Sequence, residues 1–189
     1  MHPANTPLHL IPGTTHRSTL RIMQPAWVYK PVTSITAGAP VQLQVPGHGI
    51  ETDSWPCWLA GVQHMPELNR DPPRERPHRM RVVDADTLEI NRISATGRQP
   101  RGGELRYQPP VDLTGCDAEM HLFDRPGGAT LMTLGLGTGL TITGPGTIER
   151  VIDADQTIPP TASWYWLEVR YPDGTEHRYW EGPVTIGDA

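Results

Sequence analysis

Apolar and polar residues alternate along most of this chain, and the period of the alternation is two. Val41-Gln42-Leu43-Gln44-Val45 puts its aliphatic side chains on one face and its amides on the other, the mark of a half-buried strand. The same pattern recurs in Arg79–Val83, Thr87–Ile90, Glu104–Tyr107, Glu119–Phe123, Leu140–Thr143 and Thr147–Ile152. Two longer strands, Ser163–Tyr171 and Glu176–Ile186, flank Pro172-Asp173-Gly174-Thr175, where the Asp-Gly step predicts a tight hairpin turn. Pro46-Gly47-His48-Gly49, Arg125-Pro126-Gly127-Gly128 and Thr143-Gly144-Pro145-Gly146 read as further strand-to-strand turns. Residues 66–77, with four prolines and mixed charges, are expected to form an exposed loop and not a helix.

Composition agrees with an all-β chain. The 19 glycines and 21 prolines make about a fifth of the 189 residues, against roughly 12% in average usage. Long helices do not survive that density, since an interior proline costs about 3 kcal/mol and a glycine about 1. No apolar run approaches the roughly 18 residues that span a bilayer, and the opening residues lack the pattern of a signal peptide, so a soluble protein without membrane contact is expected. The net charge of −5 is modest and the basic residues are scattered, which gives no nucleic-acid footprint. Lys30 is the single lysine among 16 basic residues; the rest are arginines, which suit packed protein contacts and also arise from GC-rich coding. Cys57 and Cys116 have no metal-type spacing and fit a reducing cytoplasm.

The chemistry-bearing patterns have structural explanations. Asp84-Ala85-Asp86 and Asp153-Ala154-Asp155 lack the further oxygen ligands of a calcium loop and are expected to cap turns. The eight histidines are widely spaced and offer no local metal template; His48, between two glycines, reads as a turn residue. Gly135-Leu136-Gly137-Thr138-Gly139 lacks the lysine and following helix of a phosphate loop and is expected to join two strands. No G-x-S-x-G elbow is present. No catalytic residue, metal site or cofactor is therefore expected, and the protein is read as a non-enzyme.

Val111-Asp112-Leu113-Thr114-Gly115, followed by Ala118–Phe123, Asp124 and Arg125-Pro126-Gly127-Gly128, resembles the opening of an immunoglobulin-like sandwich found in baseplate-upper-protein-like virion proteins of tailed bacteriophages. Ile148, the turn at 153–157, the aromatic strand from Trp164, the Pro172-Asp173-Gly174 turn and Glu181-Gly182-Pro183-Val184-Thr185-Ile186 resemble the rest of that module. Cys116 stands where the pattern often has an aromatic. Pro46-Gly47-His48-Gly49, Gly61-Val62, Val82–Asn91 and Gly102-Gly103 resemble a small β-barrel of the first-catalytic-cysteine-half-like type, which phage proteins carry as a structural insert. Gly13–Ile22 and Trp27-Val28-Tyr29 match the opening strand pair of the sandwich module.

The resemblance implies an all-β chain in which an immunoglobulin-like sandwich (13–35 and 109–187) is interrupted by a small barrel (36–108), with residues 1–12 as an N-terminal arm. It implies a virion adaptor of the neck, tail or baseplate, assembled in the host bacterial cytoplasm. Its partners would be portal, neck, tail or baseplate subunits, with copies of the chain in a symmetric ring. A capsid decoration protein and a carbohydrate- or host-surface-binding module are the alternatives. Two groups are expected to make contacts: Arg70, Arg74, Arg76 and Arg79 around the proline-rich loop, and Trp164, Trp166, Tyr179 and Trp180 on the last hairpin.

Overall fold

The computed structural model describes residues 2–187, and almost half of the chain is strand. Helix among the described residues is confined to one 3-10 turn, Pro66–Leu68, which opens the loop expected to lack helix. Leu68 explains the turn: it is fully buried, and the turn swings it under the loop. Two compact units form, one from residues 1–22 and 110–189, the other from Met23–Pro109.

The first unit is a curled sheet of β1 (Ala4–Asn5), β2 (Leu8–Leu10), β3 (His16–Arg21), β11 (Asp117–Phe123), β12 (Thr130–Leu136), β13 (Gly139–Gly144), β14 (Thr147–Ile152), β15 (Trp164–Arg170) and β16 (Glu176–Ile186). The order is β1-β16-β15-β11-β12-β13-β14-β3, with β2 also on β16. Inward residues at alternate positions, among them Ala118, Met120, Leu122, Tyr165, Leu167 and Val169, meet Leu140, Ile148 and Ile152 in one core. Between β12 and β13 only Gly135–Leu136 and Gly139–Leu140 pair, and the sheet turns its crease there. Gly139 (φ +99°) is required at that crease. A Cβ on it would stand 2.8 Å from Leu134 Cδ2 and 2.9 Å from the Val151 carbonyl. The Gly135–Gly139 run is thus a strand connection, closed by Thr138 N–H donating to Gly135 O at 2.9 Å.

The second unit is a seven-stranded curled sheet, β4 (Val28–Pro31), β10 (Glu104–Tyr107), β7 (Trp55–Ala60), β8 (His78–Val82), β9 (Thr87–Ile90), β6 (Val41–Gln44) and β5 (Ser34–Thr36) in that order. Its own core holds Val41, Leu43, Trp55, Cys57, Leu59, Leu88, Ile90 and Leu105. His48 is part of this framework. Its Nδ1 accepts the Ile50 N–H at 3.0 Å, which leaves Nε2 to donate to the Asp84 carbonyl at 2.9 Å, and the Tyr107 hydroxyl donates to the His48 carbonyl. Asp84 Oδ1 accepts the Asp86 N–H and Asp86 Oδ1 the Gly47 N–H, so this acidic pair caps turns. Burial pushes the Cys57 thiol far above its ordinary pKa and raises that of Cys116, leaving both cysteines protonated, free and inert.

Two expected boundaries move. Residues 1–12 are not an arm: β1 and β2 pair in parallel with β16, and Leu8 and Leu10 are buried because they fill the first core. The sandwich segment ends at Ile22 and not at residue 35. His16–Arg21 pairs with β14, but Val28–Pro31 pairs with β10, where Val28 packs on the second core.

Arg150 is the misfit of the first core. It is 6% exposed, and its partners among the described residues are the Ser18 hydroxyl (3.1 Å), the Met120 sulfur (3.6 Å) and the face of Tyr165, none of them anionic. Burial pulls its pKa below the ordinary arginine value. An apolar side chain of similar length avoids that desolvation cost. Arg150→Met is expected to raise the unfolding free energy by about 1 kcal/mol in a urea titration; a loss of that size would show that the cation is needed where it lies.

Candidate contact surfaces and a carboxylate–imidazole cluster

The proline-rich loop of the second unit is exposed but held. Arg70 N–H donates to the Leu59 carbonyl at 2.8 Å. The Asn69 amide exchanges two hydrogen bonds with the Val62 backbone, at 2.8 and 2.9 Å. Trp58 Nε1 reaches the Glu75 carbonyl at 2.9 Å, His78 Nε2 the Leu68 carbonyl at 2.8 Å, and the Glu75 carboxylate accepts the Asp71 N–H at 2.7 Å. Arg70 is spent inside this frame, donating to the Arg76 carbonyl at 2.7 Å, and Arg79 donates to the Ser54 carbonyl at 3.0 Å. Arg74 and Arg76 remain at the surface; Arg74 has only a 3.9 Å approach to Asp71, with both side chains well solvated.

His78 is the buried titratable group of this loop. Burial pulls its pKa below the ordinary histidine value and nearby Arg70 adds to that, while the Leu68 carbonyl and Glu75 act the other way. The unfolded chain therefore takes up this proton first as pH falls, and stability present above about pH 6.5 is lost below it. His16 in the first unit shifts in the same direction. Asp84, Asp112 and Asp173 are held below the ordinary carboxylate value by backbone and hydroxyl hydrogen bonds, so they weaken the fold only at lower pH. The urea midpoint is expected to fall between pH 7 and 5, and His78→Gln, which keeps a donor for Leu68 without titrating, is expected to flatten that fall.

The aromatic hairpin is less open than strict alternation predicts. A register shift between Leu167 and Glu168 lets the adjacent Tyr179 and Trp180 both pack against the first core. Trp164 and Trp166 are half-buried on the outer face of β15. Trp166 lies 4.0 Å from the ring of Phe123, and the Arg178 guanidinium covers it at 3.9 Å. Its indole nitrogen is buried without an acceptor among the described residues. The hairpin rings therefore mostly serve packing, and only part of Trp164 and Trp166 faces outward.

Beside this stack, the strands gather a group that the sequence pattern did not single out. Glu119 and His121 share the outer face of β11, and Glu168 stands directly opposite Glu119 on β15. His121 Nε2 is 3.2 Å from Glu119 Oε2 and 4.0 Å from Glu168 Oε1, and its Nδ1 lies 3.1 Å from the Thr133 hydroxyl on β12. One donor atom from each of the three residues falls within 4.8 Å of the others. A pocket of about 10 Å³, room for about one water, adjoins Glu119 and Glu168 on the side away from His121, lined also by Asp117, Ala118, Arg170 and Glu176. Glu119-x-His121 was legible as a same-face pair on a period-two strand; Glu168 comes from a distant strand, and only the β11–β15 register supplies it. No family model matches the chain, and no curated protein matches it in sequence.

Proposed function

We propose that the chain is a non-enzymatic structural protein of a tailed-bacteriophage virion, an adaptor in the neck, tail or baseplate whose copies form a ring and join neighbouring subunits. The observation that carries this reading is the loop at 66–77. Its backbone is held by the buried Trp58 and His78 side chains of the flanking strands and by the half-buried Asn69 amide, while Arg74 and Arg76 stand outward. Fixing the backbone of a flexible arm on binding costs about 1–2 kcal/mol per residue. Here the backbone share of that ordering is already met in the folded protein, and two guanidinium groups are displayed to an acidic neighbouring surface. Repetition around a ring turns modest contacts into durable assembly.

The segments that resemble phage modules support the same reading. Val111–Gly115 leads into β11, Arg125–Gly128 turns between β11 and β12, and Pro172–Thr175 turns between β15 and β16. A glycan-binding module calls for flat open rings, whereas Trp164, Trp166 and Trp180 are each partly buried.

The test is incorporation. Mass spectrometry of purified particles is expected to find the protein at fixed stoichiometry to the portal. The double variant Arg74→Glu/Arg76→Glu is expected to melt within about 0.5 kcal/mol of wild type, as surface changes do, and to be depleted from particles. Absence of the wild-type protein from particles would overturn the proposal, and normal incorporation of the variant would remove the loop from it.

A further inference from the structure

The geometry points to a divalent transition-metal site on the outer face of the first unit, with Glu119, His121 and Glu168 as ligands and Zn²⁺ as the probe ion. The donor set is one imidazole nitrogen and two carboxylates, a combination that suits borderline cations of the zinc type. Zinc bonds of about 2.0–2.2 Å in a tetrahedron place donor atoms about 3.3–3.6 Å apart. His121 Nε2 and Glu119 Oε2 are already 3.2 Å apart, and the 4.0 Å gap to Glu168 Oε1 closes by rotation of a partly solvated side chain. Three protein ligands leave a fourth position for water.

Three further features favour the ion. Glu119 and Glu168 are directly opposed across the ladder, a like-charge pairing that weakens a sheet until a cation lies between the two carboxylates. The ligands stand on adjacent paired strands, so their backbones are fixed before the ion arrives. Thr133 on β12 completes the arrangement. With an ion on Nε2, the Thr133 hydroxyl oxygen, 3.1 Å from Nδ1, would accept the remaining ring hydrogen, the outer contact that orients most histidine ligands. Binding displaces any proton on Nε2 to solvent, and no other bond changes. Two cations flank the cluster: Arg170 is engaged by Glu176 at 2.6 Å, and Arg178, opposite Glu168 on β16, lies over the Trp166 ring and 3.4 Å from the Glu181 carboxylate.

The experiment is calorimetric titration of the full chain with ZnCl₂, together with the visible absorption of added Co²⁺. Wild type is expected to bind one ion per chain with micromolar affinity. His121→Ala is expected to weaken binding by about a hundredfold or more and to abolish the Co²⁺ bands, Glu168→Gln to weaken it strongly, and Thr133→Val to weaken it by about tenfold. His9→Ala removes an exposed imidazole elsewhere and is expected to change nothing. Circular dichroism establishes that each variant is folded; if His121→Ala is not, the isosteric Glu168→Gln decides. No saturable binding below about 1 mM, or one-to-one binding that the deciding variant leaves intact, overturns the site.

Discussion

The fold depends on a backbone junction at which the chain leaves the first unit and returns to it. Ile22 N–H donates to the Gly146 carbonyl at 2.7 Å, Gly146 N–H to Val111 at 2.7 Å, and Val111 N–H to Ile22 at 3.1 Å. These three bonds tie together segments that residues 23–109 separate in sequence. The second unit closes its own base in the same way, with Gln24 N–H donating to the Pro109 carbonyl at 2.8 Å. Closing a loop costs entropy that grows only logarithmically with its length, so a whole unit fits where a turn would serve. Separate cores follow from this arrangement. Each unit buries its own aliphatic cluster, and each can therefore vary its surface without disturbing the other's interior.

Surface chemistry in this protein rests on backbone geometry. On β11 and β15 the pleat sends Met120, Leu122, Tyr165 and Leu167 into the core, and the same pleat holds Glu119, His121, Trp166 and Glu168 in a row on the opposite face, where Phe123 is buried against Trp166. In the second unit the fixed element is a loop, but the buried Trp58 indole and His78 imidazole and the half-buried Asn69 amide hold its backbone as strand neighbours would. Most polar groups that look chemical in the sequence are absorbed by turns. His48, Asp84 and Asp86 satisfy backbone amides and carbonyls, which is why the cluster on β11 and β15 stands out.

Strands with clean alternation were legible from sequence, because one buried face imposes a period of two. Val41–Gln44, Glu104–Tyr107, Thr147–Ile152 and the last hairpin lie where the pattern puts them, and so does Thr87–Ile90, whose polar Thr87 and Glu89 keep the alternation although both its faces are buried. Trp55–Ala60 escaped, since this central strand is buried on both faces and shows no alternation. β1 and β2 escaped for another reason: they are two and three residues long and pair in parallel with β16 at the far end of the chain. Val28–Pro31 was recognisable as a strand, but its partner β10 is a tertiary choice that decides which unit owns it. The bulge that turns both Tyr179 and Trp180 toward the core breaks the alternation rule locally, and nothing in the sequence marks it.

One sheet-built unit interrupts another in sequence, and each is held by its own core. Replacing residues 23–109 with a short Gly-Ser linker tests it most directly, read out by the amide spectrum of the remaining chain in solution. A dispersed spectrum with slow exchange at Ile22, Gly146 and Val111 is the predicted result. A collapsed spectrum typical of an unfolded chain would show that the first unit does not hold its own core.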